Sequence, residues 1–262
     1  MKCIVDSPQP TTTHERYYRL GKNYWWFYGK YRLVLSLLKT YVPAFSTKSI
    51  KIFDAGCGPG HFMELLREYG ELVGTDYAHE RILFARREGY LETAQADLRS
   101  IPFQDASFDL ITTIDTIEHI REDRAALQEL FRVLKPGGVL ALTVPAFMLL
   151  WGSHDENQGH YKRYRVPEME GMLAQAGFEV IKATYAELVW FLPLLVIRKM
   201  KALKEYFYPA APKDDFLLFP DWINAILTGM IVAEAPLLKR RRLPFGVTMI
   251  CLAKKPHGES VL

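Results

Sequence analysis

The stretch that decides the fold is Ile50-Lys51-Ile52-Phe53-Asp54-Ala55-Gly56-Cys57-Gly58-Pro59-Gly60. Its first six residues read as a short buried strand, and the glycines that follow read as a turn opening a helix at about 60–69. Glycine at alternate positions removes the Cβ atoms that would keep the backbone away from a ligand. A turn of this kind after the first strand of a doubly wound sheet lies at the carboxyl edge, where such sheets bind ligands. A dinucleotide turn, G-x-G-x-x-G, would need its third glycine at position 61, where His61 stands. A nicotinamide dehydrogenase is therefore disfavoured.

Downstream of the turn, strands and helices alternate. ELVGTD (71–76) reads as a second strand, HERILFARREG (79–89) as a helix and TAQAD (93–97) as a third strand. FDLITTI (108–114) reads as a fourth strand, and its apolar run suits a strand buried on both faces. Residues 122–134 form an amphipathic helix that Lys135-Pro136-Gly137-Gly138 should stop. VLALTVP (139–145), a helix at 167–176 and FEVIKATY (178–185) continue the alternation, and VTMICLAKK (247–255) closes it. Such a pattern predicts a parallel sheet with helices on both faces. Upstream, residues 1–15 read as a frayed polar arm. Trp25, Trp26, Tyr28, Leu33, Leu37 and Leu38 fall near a helical period within a Tyr17–Tyr41 segment.

Two further carboxylates stand at strand ends. Asp76, twenty positions after Gly56, can accept hydrogen bonds from ribose hydroxyls. Asp97, followed by Leu98, can accept one from an adenine amino group. The plainer reading of each aspartate is a helix cap or loop residue.

FDAGCGPG, the aspartate of GTDYA, AQADLRSIPFQDASFDLI, TIDTIEHI and ELFRVLKPGGVLALTVP together resemble the successive motifs of class I S-adenosylmethionine-dependent methyltransferases. The resemblance covers about residues 50–185 and the last strand. It implies a doubly wound, seven-stranded, mostly parallel α/β sheet of the Rossmann-like methyltransferase type, with the last strand antiparallel beside the sixth. It also implies S-adenosyl-L-methionine as cofactor. Gly56, Gly58 and Gly60, with Asp54 at the head of their turn, would cradle the methionine portion. Asp76 would hold the ribose, Tyr77 would lie beside the adenine, and Asp97 and Leu98 would contact it. Ile114 and Asp115 would flank the sulfonium. The aromatic segment would form a lid, so the expected division is an arm (1–15), a helical lid (16–49), the methyltransferase domain (50–185 with 244–256) and an insertion (186–243).

Methyl transfer needs mainly proximity, helped by a general base when the acceptor is a hydroxyl. The segment after the fifth strand offers one. His154 and His160 are the base candidates, and Asp155 is placed to orient either. Arg163 can bind an anionic group, and Tyr161 and His119 are expected at the acceptor. No metal is expected in this reading. An alternative is a metal-assisted O-methyltransferase, because Asp115, Glu118 and His119 resemble the acidic–histidine cluster of the metal-dependent ubiquinone-biosynthesis O-methyltransferases. A non-catalytic S-adenosylmethionine-binding protein is a third reading.

The insertion departs from a minimal methyltransferase. AELVWFLPLLVI (186–197) and INAILTGMIVA (223–233) are nearly all apolar, and basic residues follow each, at 198–204 and 239–242. Pro193 and Glu234 are expected to break these runs before either reaches the ~18 residues of a membrane span. Interfacial lipid contact, a cap over the acceptor and a homodimer contact are the three expectations. The acceptor is accordingly expected to be a small, amphipathic or lipid-linked molecule. A net charge of +3 in 262 residues gives no cause to expect nucleic acid as partner. Three scattered cysteines form no disulfide framework, and the N-terminus carries no signal-peptide core. The expected location is cytoplasmic, at or near the inner face of the membrane.

Overall fold

A computed structural model describes residues 24–47, 49–207 and 219–257. The N-terminal arm, with Tyr17 and Tyr18 of the aromatic segment, lies outside the described residues. The strands are β1 (Ile50–Ala55), β2 (Gly70–Asp76), β3 (Thr93–Gln95), β4 (Phe108–Ile114), β5 (Leu134–Pro145), β6 (Glu179–Ala186) and β7 (Thr248–Lys254). They form one seven-stranded sheet in the order β3-β2-β1-β4-β5-β7-β6. β7 runs antiparallel to both β5 and β6, and the other pairings are parallel. The central strands β1 and β4 are buried on both faces along most of their length, which explains why apolar residues are not confined to alternate positions.

The strand order reverses between β1 and β4. Crossovers from these two strands leave in opposite directions, so a crevice opens beyond their carboxyl ends. The glycine turn follows β1, and Asp115 follows β4. Both features thus meet at one point for a topological reason.

The helices are α1 (Trp25–Tyr41), α2 (Met63–Leu66), α3 (His79–Arg87), α4 (Asp123–Val133), α5 (Ser153–Gln158), α6 (Val166–Gln175), α7 (Leu188–Phe207), α8 (Asp221–Val232) and α9 (Ala235–Arg240). Three sequence expectations change. The helix after the glycine turn is only four residues long. β5 begins at Leu134 and runs through Pro136-Gly137-Gly138, with a register shift between Phe108 and Leu110 that absorbs the irregular start. Pro193 does not stop α7, which continues to Phe207. The proline sits in the second turn and forfeits only the bond to Val189.

Glu234 does not end the apolar run either. It lies between α8 and α9, and its carboxylate accepts hydrogen bonds from the backbone N–H groups of Glu187 (2.7 Å) and Val189 (3.4 Å) at the start of α7. A carboxylate there satisfies orphan donors and suits the positive end of the helix. With Glu234 turned inward, residues 221–240 make one helical run, long and apolar enough by length and composition to cross a membrane. α8 packs along α1, and a Cβ at Gly29 would stand 2.9 Å from Ile231.

Candidate active site

The crevice opens into a cavity of about 1100 Å³. Its floor is the β1 and β4 ends. Its remaining wall comes from the N-terminal turn of α1, the segment 154–163 and the inner side of α7. Small-molecule sites typically occupy ~300–1,000 Å³, so this volume accommodates a cofactor together with an acceptor.

At the floor, Gly56 and Gly58 take φ of +80° and +55°, conformations that side chains rarely adopt. A Cβ on Gly58 would meet nothing and would project into open space. Asp76 is buried, and its two oxygens accept hydrogen bonds from the N–H groups of Gly58 (3.0 Å) and Ala78 (2.8 Å). One carboxylate therefore ties the end of β2 to the turn after β1. Tyr77 is 73% exposed at the cavity wall, beside Leu98.

Past β4, Asp115 adopts φ +48°. It forms an ion pair with Lys30 of α1 and accepts a hydrogen bond from Thr143 (2.8 Å). Burial disfavours its ionisation, and Lys30 outweighs burial, so its pKa lies below the usual carboxylate range. Burial likewise disfavours the Lys30 ammonium, and Asp115 and Glu187 outweigh that, raising its pKa. Glu118 has no such partner. It is 1% exposed, and among the described residues both its carboxylate oxygens lack a hydrogen bond. Burial, with Asp115 nearby, pushes its pKa well up.

The segment after β5 is not a solvated loop. Asp155 is fully buried at the first turn of α5 and binds three side chains: His160 Nδ1 (2.9 Å), Arg163 Nε (2.8 Å) and Arg198 of α7 (2.6 Å). Burial opposes its charge, but these partners win and hold its carboxyl well below the usual range. The His160 ring packs edge-on against His119, centroids 4.7 Å apart, with His154 at 6.2 Å. Burial, and then the nearby His160, depress the His119 pKa to about 4. His119 is therefore neutral near pH 7.

Residues 53–142 match the family model described as a methyltransferase domain. A Mycolicibacterium smegmatis protein named "probable S-adenosylmethionine-dependent methyltransferase" is 30% identical over 133 residues, 49% of this chain and 52% of that protein. The malonyl-[acyl-carrier protein] O-methyltransferase of Salmonella typhimurium is 32% identical over 161 residues, 58% of this chain and 63% of that protein. Residues 53–142 of this chain therefore form a methyltransferase domain, similar to that of proteins named S-adenosylmethionine-dependent methyltransferases. The matched stretch spans about half to two-thirds of the length of these relatives. An S-adenosylmethionine-dependent methyltransferase from Mesorhizobium loti shares the fold, with a TM-score of 0.54 at 16% identity over 83% of this chain and 95% of that one.

The methyltransferase domain fits its cofactor at Gly58, where the open space a Cβ would fill lies beside the Asp76 anchor. Two sequence assignments change. Asp54 does not line the cavity; it is buried under the turn and accepts a 2.6 Å bond from Thr112. Gly60 faces away, and a Cβ there would strike the Tyr90 ring. Asp97 and Leu98, beyond the end of β3, line the cavity, and Asp97 is clasped bidentately by Arg99. Arg163 also reaches the cavity wall, and it is 4% exposed and bound to Asp155 and the Ala146 carbonyl, so it braces this segment from within. Ile114, His119, His154, His160 and Tyr161 do line the cavity, and Tyr161 is covered by Arg121.

Sequence reasoning passed over Lys30 and Arg198. Lys30 sits on the apolar stripe Trp26–Leu33–Leu37 of α1, and a lone cation on a buried face was the available signal. Arg198 is the first charge after a ten-residue uncharged run, which marks it less distinctly. In the aromatic segment, Trp25 is 6% exposed and packs on Trp190 of α7, centroids 4.8 Å apart. The lid and the insertion thus form one roof.

Proposed function

We propose that this chain transfers the methyl group of S-adenosylmethionine to a hydroxyl oxygen of a small amphipathic acceptor. The observation that carries the oxygen assignment is the His160–Asp155 contact in the same cavity as the glycine turn. When bound, the cofactor supplies a methyl group on a cationic sulfur, open to in-line attack. Asp155 accepts the Nδ1–H of His160, which fixes the tautomer and leaves Nε2 with its lone pair to take a hydroxyl proton. Arg163 and Arg198 hold Asp155 charged and in place. Trp25 and Trp190 close the roof against water. The similarity to an enzyme named as an O-methyltransferase supports the same acceptor atom.

His160→Gln is expected to lower turnover to S-adenosylhomocysteine by about 10²–10⁴, the usual contribution of a general base, with S-adenosylhomocysteine binding unchanged in calorimetry. His154→Ala serves as the second variant. Near-normal turnover in both sinks the assignment. Absence of any turnover by the intact chain across hydroxyl acceptors favours the non-catalytic binding reading.

One observation favours a second reading. A carboxylate oxygen of Glu118 and one ring nitrogen each from His119 and His160 lie within 4.8 Å of one another. This set differs from the sequence expectation, because Asp115 is taken by Lys30 and His160 stands in its place. Two imidazoles and one carboxylate suit a divalent transition ion better than magnesium. Turnover that EDTA abolishes and zinc or manganese restores selects this reading; EDTA-resistant turnover selects the unassisted base.

A further inference from the structure

The outer sides of α7 and α8 carry apolar side chains that nothing covers among the described residues. On α7 these are Val189, Leu192, Val196, Met200 and Leu203, exposed by 52–67%. Their spacing of three, four, four and three residues places them on one helical stripe. On α8, Trp222, Ile226 and Met230 repeat every four residues and are 66%, 55% and 40% exposed. The opposite sides of the same helices face inward: Trp190, Leu194 and Leu227 line the cavity. Each helix therefore stands between the active site and an exposed apolar stripe.

Cations outnumber acids around these stripes, although Asp221 is exposed beside Trp222. Residues 188–203 contain no aspartate or glutamate, and Lys199 beside Met200 is exposed. Arg240 and Arg241 are exposed where the 221–240 run ends. Exposed apolar stripes edged by cations fit the boundary between the headgroups and chains of an anionic lipid layer, where both parts of the surface are satisfied at once. A cationic rim does not complement a second copy of itself. The 221–240 run is held along α1 by the close Gly29–Ile231 contact, so its outer side stays available while its inner side belongs to the domain.

We infer that α7 and α8 dock this chain on the surface of an anionic lipid bilayer, and that the acceptor enters the cavity from that surface. The inference rests on the amphipathic acceptor proposed above and adds the phase from which it comes. It also gives Arg198 a place in the arrangement: the helix that meets the lipid is the one that grips Asp155.

Vesicle flotation of the full chain tests this, with phosphatidylglycerol–phosphatidylcholine vesicles against pure phosphatidylcholine. The expected result is flotation on the anionic vesicles at low salt, at least tenfold weaker on neutral vesicles or in molar salt. The double variant Leu192→Glu/Val196→Glu should lose flotation by a similar factor while its melting temperature and S-adenosylhomocysteine affinity stay unchanged. Arg240→Ala/Arg241→Ala should weaken it in part. No flotation, equal flotation on both vesicles, or flotation indifferent to the double variant overturns the inference. So does light scattering that shows a stable dimer which Leu192→Glu/Val196→Glu dissociates. A chain that floats but binds no S-adenosylhomocysteine retains the docking surface and refutes the enzymatic reading instead.

Discussion

Asp54 shows how a residue at a functional turn can serve the fold alone. It lies under the glycines, bound to Thr112, and burial lifts its pKa to about 7. Its unfolded value is about 3.9, so the folded chain binds this proton more tightly. The stability it contributes is complete below about pH 4 and is lost as pH rises through 7. Asp54→Asn keeps an oxygen for Thr112 and removes the titration. The melting temperature of the variant, measured relative to the parent chain, should therefore climb steadily between pH 4 and 7 and level off above. A difference that is flat with pH refutes the buried-acid account. Asp76 and the glycines at 56 and 58 were legible from sequence because a backbone that must approach a ligand excludes most other residues. The bracing role of Arg163 was not, because a charged side chain looks the same in sequence whether it faces a ligand or an internal partner. Only the fold brings Asp155 and the Ala146 carbonyl to it.

At the scale of elements, α7 depends on a residue from outside it. Glu234→Ala strips the acceptors from two backbone donors at the α7 start, and leaving such groups unpaired in a buried place costs ~1–3 kcal/mol. A fall of about 2 kcal/mol lowers the melting temperature of a chain this size by roughly 4–8 °C, which scanning calorimetry resolves. Arg198 extends the dependence from α7 to the site. Arg198→Gln is expected to reduce kcat with little effect on S-adenosylhomocysteine affinity, because it loosens Asp155 and thereby His160. An unchanged kcat, or a loss confined to KM, refutes the positioning role. The sheet strands were legible from their apolar runs and glycine or proline borders. α5 was not: six polar residues carry no hydrophobic period. Its signals are Asp155 accepting the Gly152 N–H at the start and Gly159 in the left-handed region at the end. The passage of α7 through Pro193 was equally hidden, since the same proline two turns later would have ended the helix.

In the molecule as a whole, the cavity is enclosed where four stretches of chain converge: the sheet edge, the segment 154–163, α1 and the insertion. Gly29 lies where the last two cross closely, against Ile231. Gly29→Leu overpacks that crossing at a cost of ~1–3 kcal/mol and should weaken S-adenosylhomocysteine binding by pushing the aromatic roof off the floor. Binding of parental strength in a variant with a clearly lowered melting temperature would show that the roof takes no part in holding the cofactor. Composition and alternation disclosed the sheet and the crevice, whereas the roof needed contacts between residues two hundred positions apart, such as Trp25 N–H with Asn224. The route the chain takes to build that roof has its own consequence. β6 and β7 are antiparallel neighbours, and Ala186 pairs with Thr248 across them. The sixty-one intervening residues leave and rejoin the sheet at one rung, so their removal or replacement alters no strand order and no register. Topologically they are an oversized hairpin loop, exchangeable as a unit. A catalytic floor of this kind can be redirected to a new acceptor by swapping one contiguous cassette, with the glycine turn and the Asp76 anchor left in the sheet.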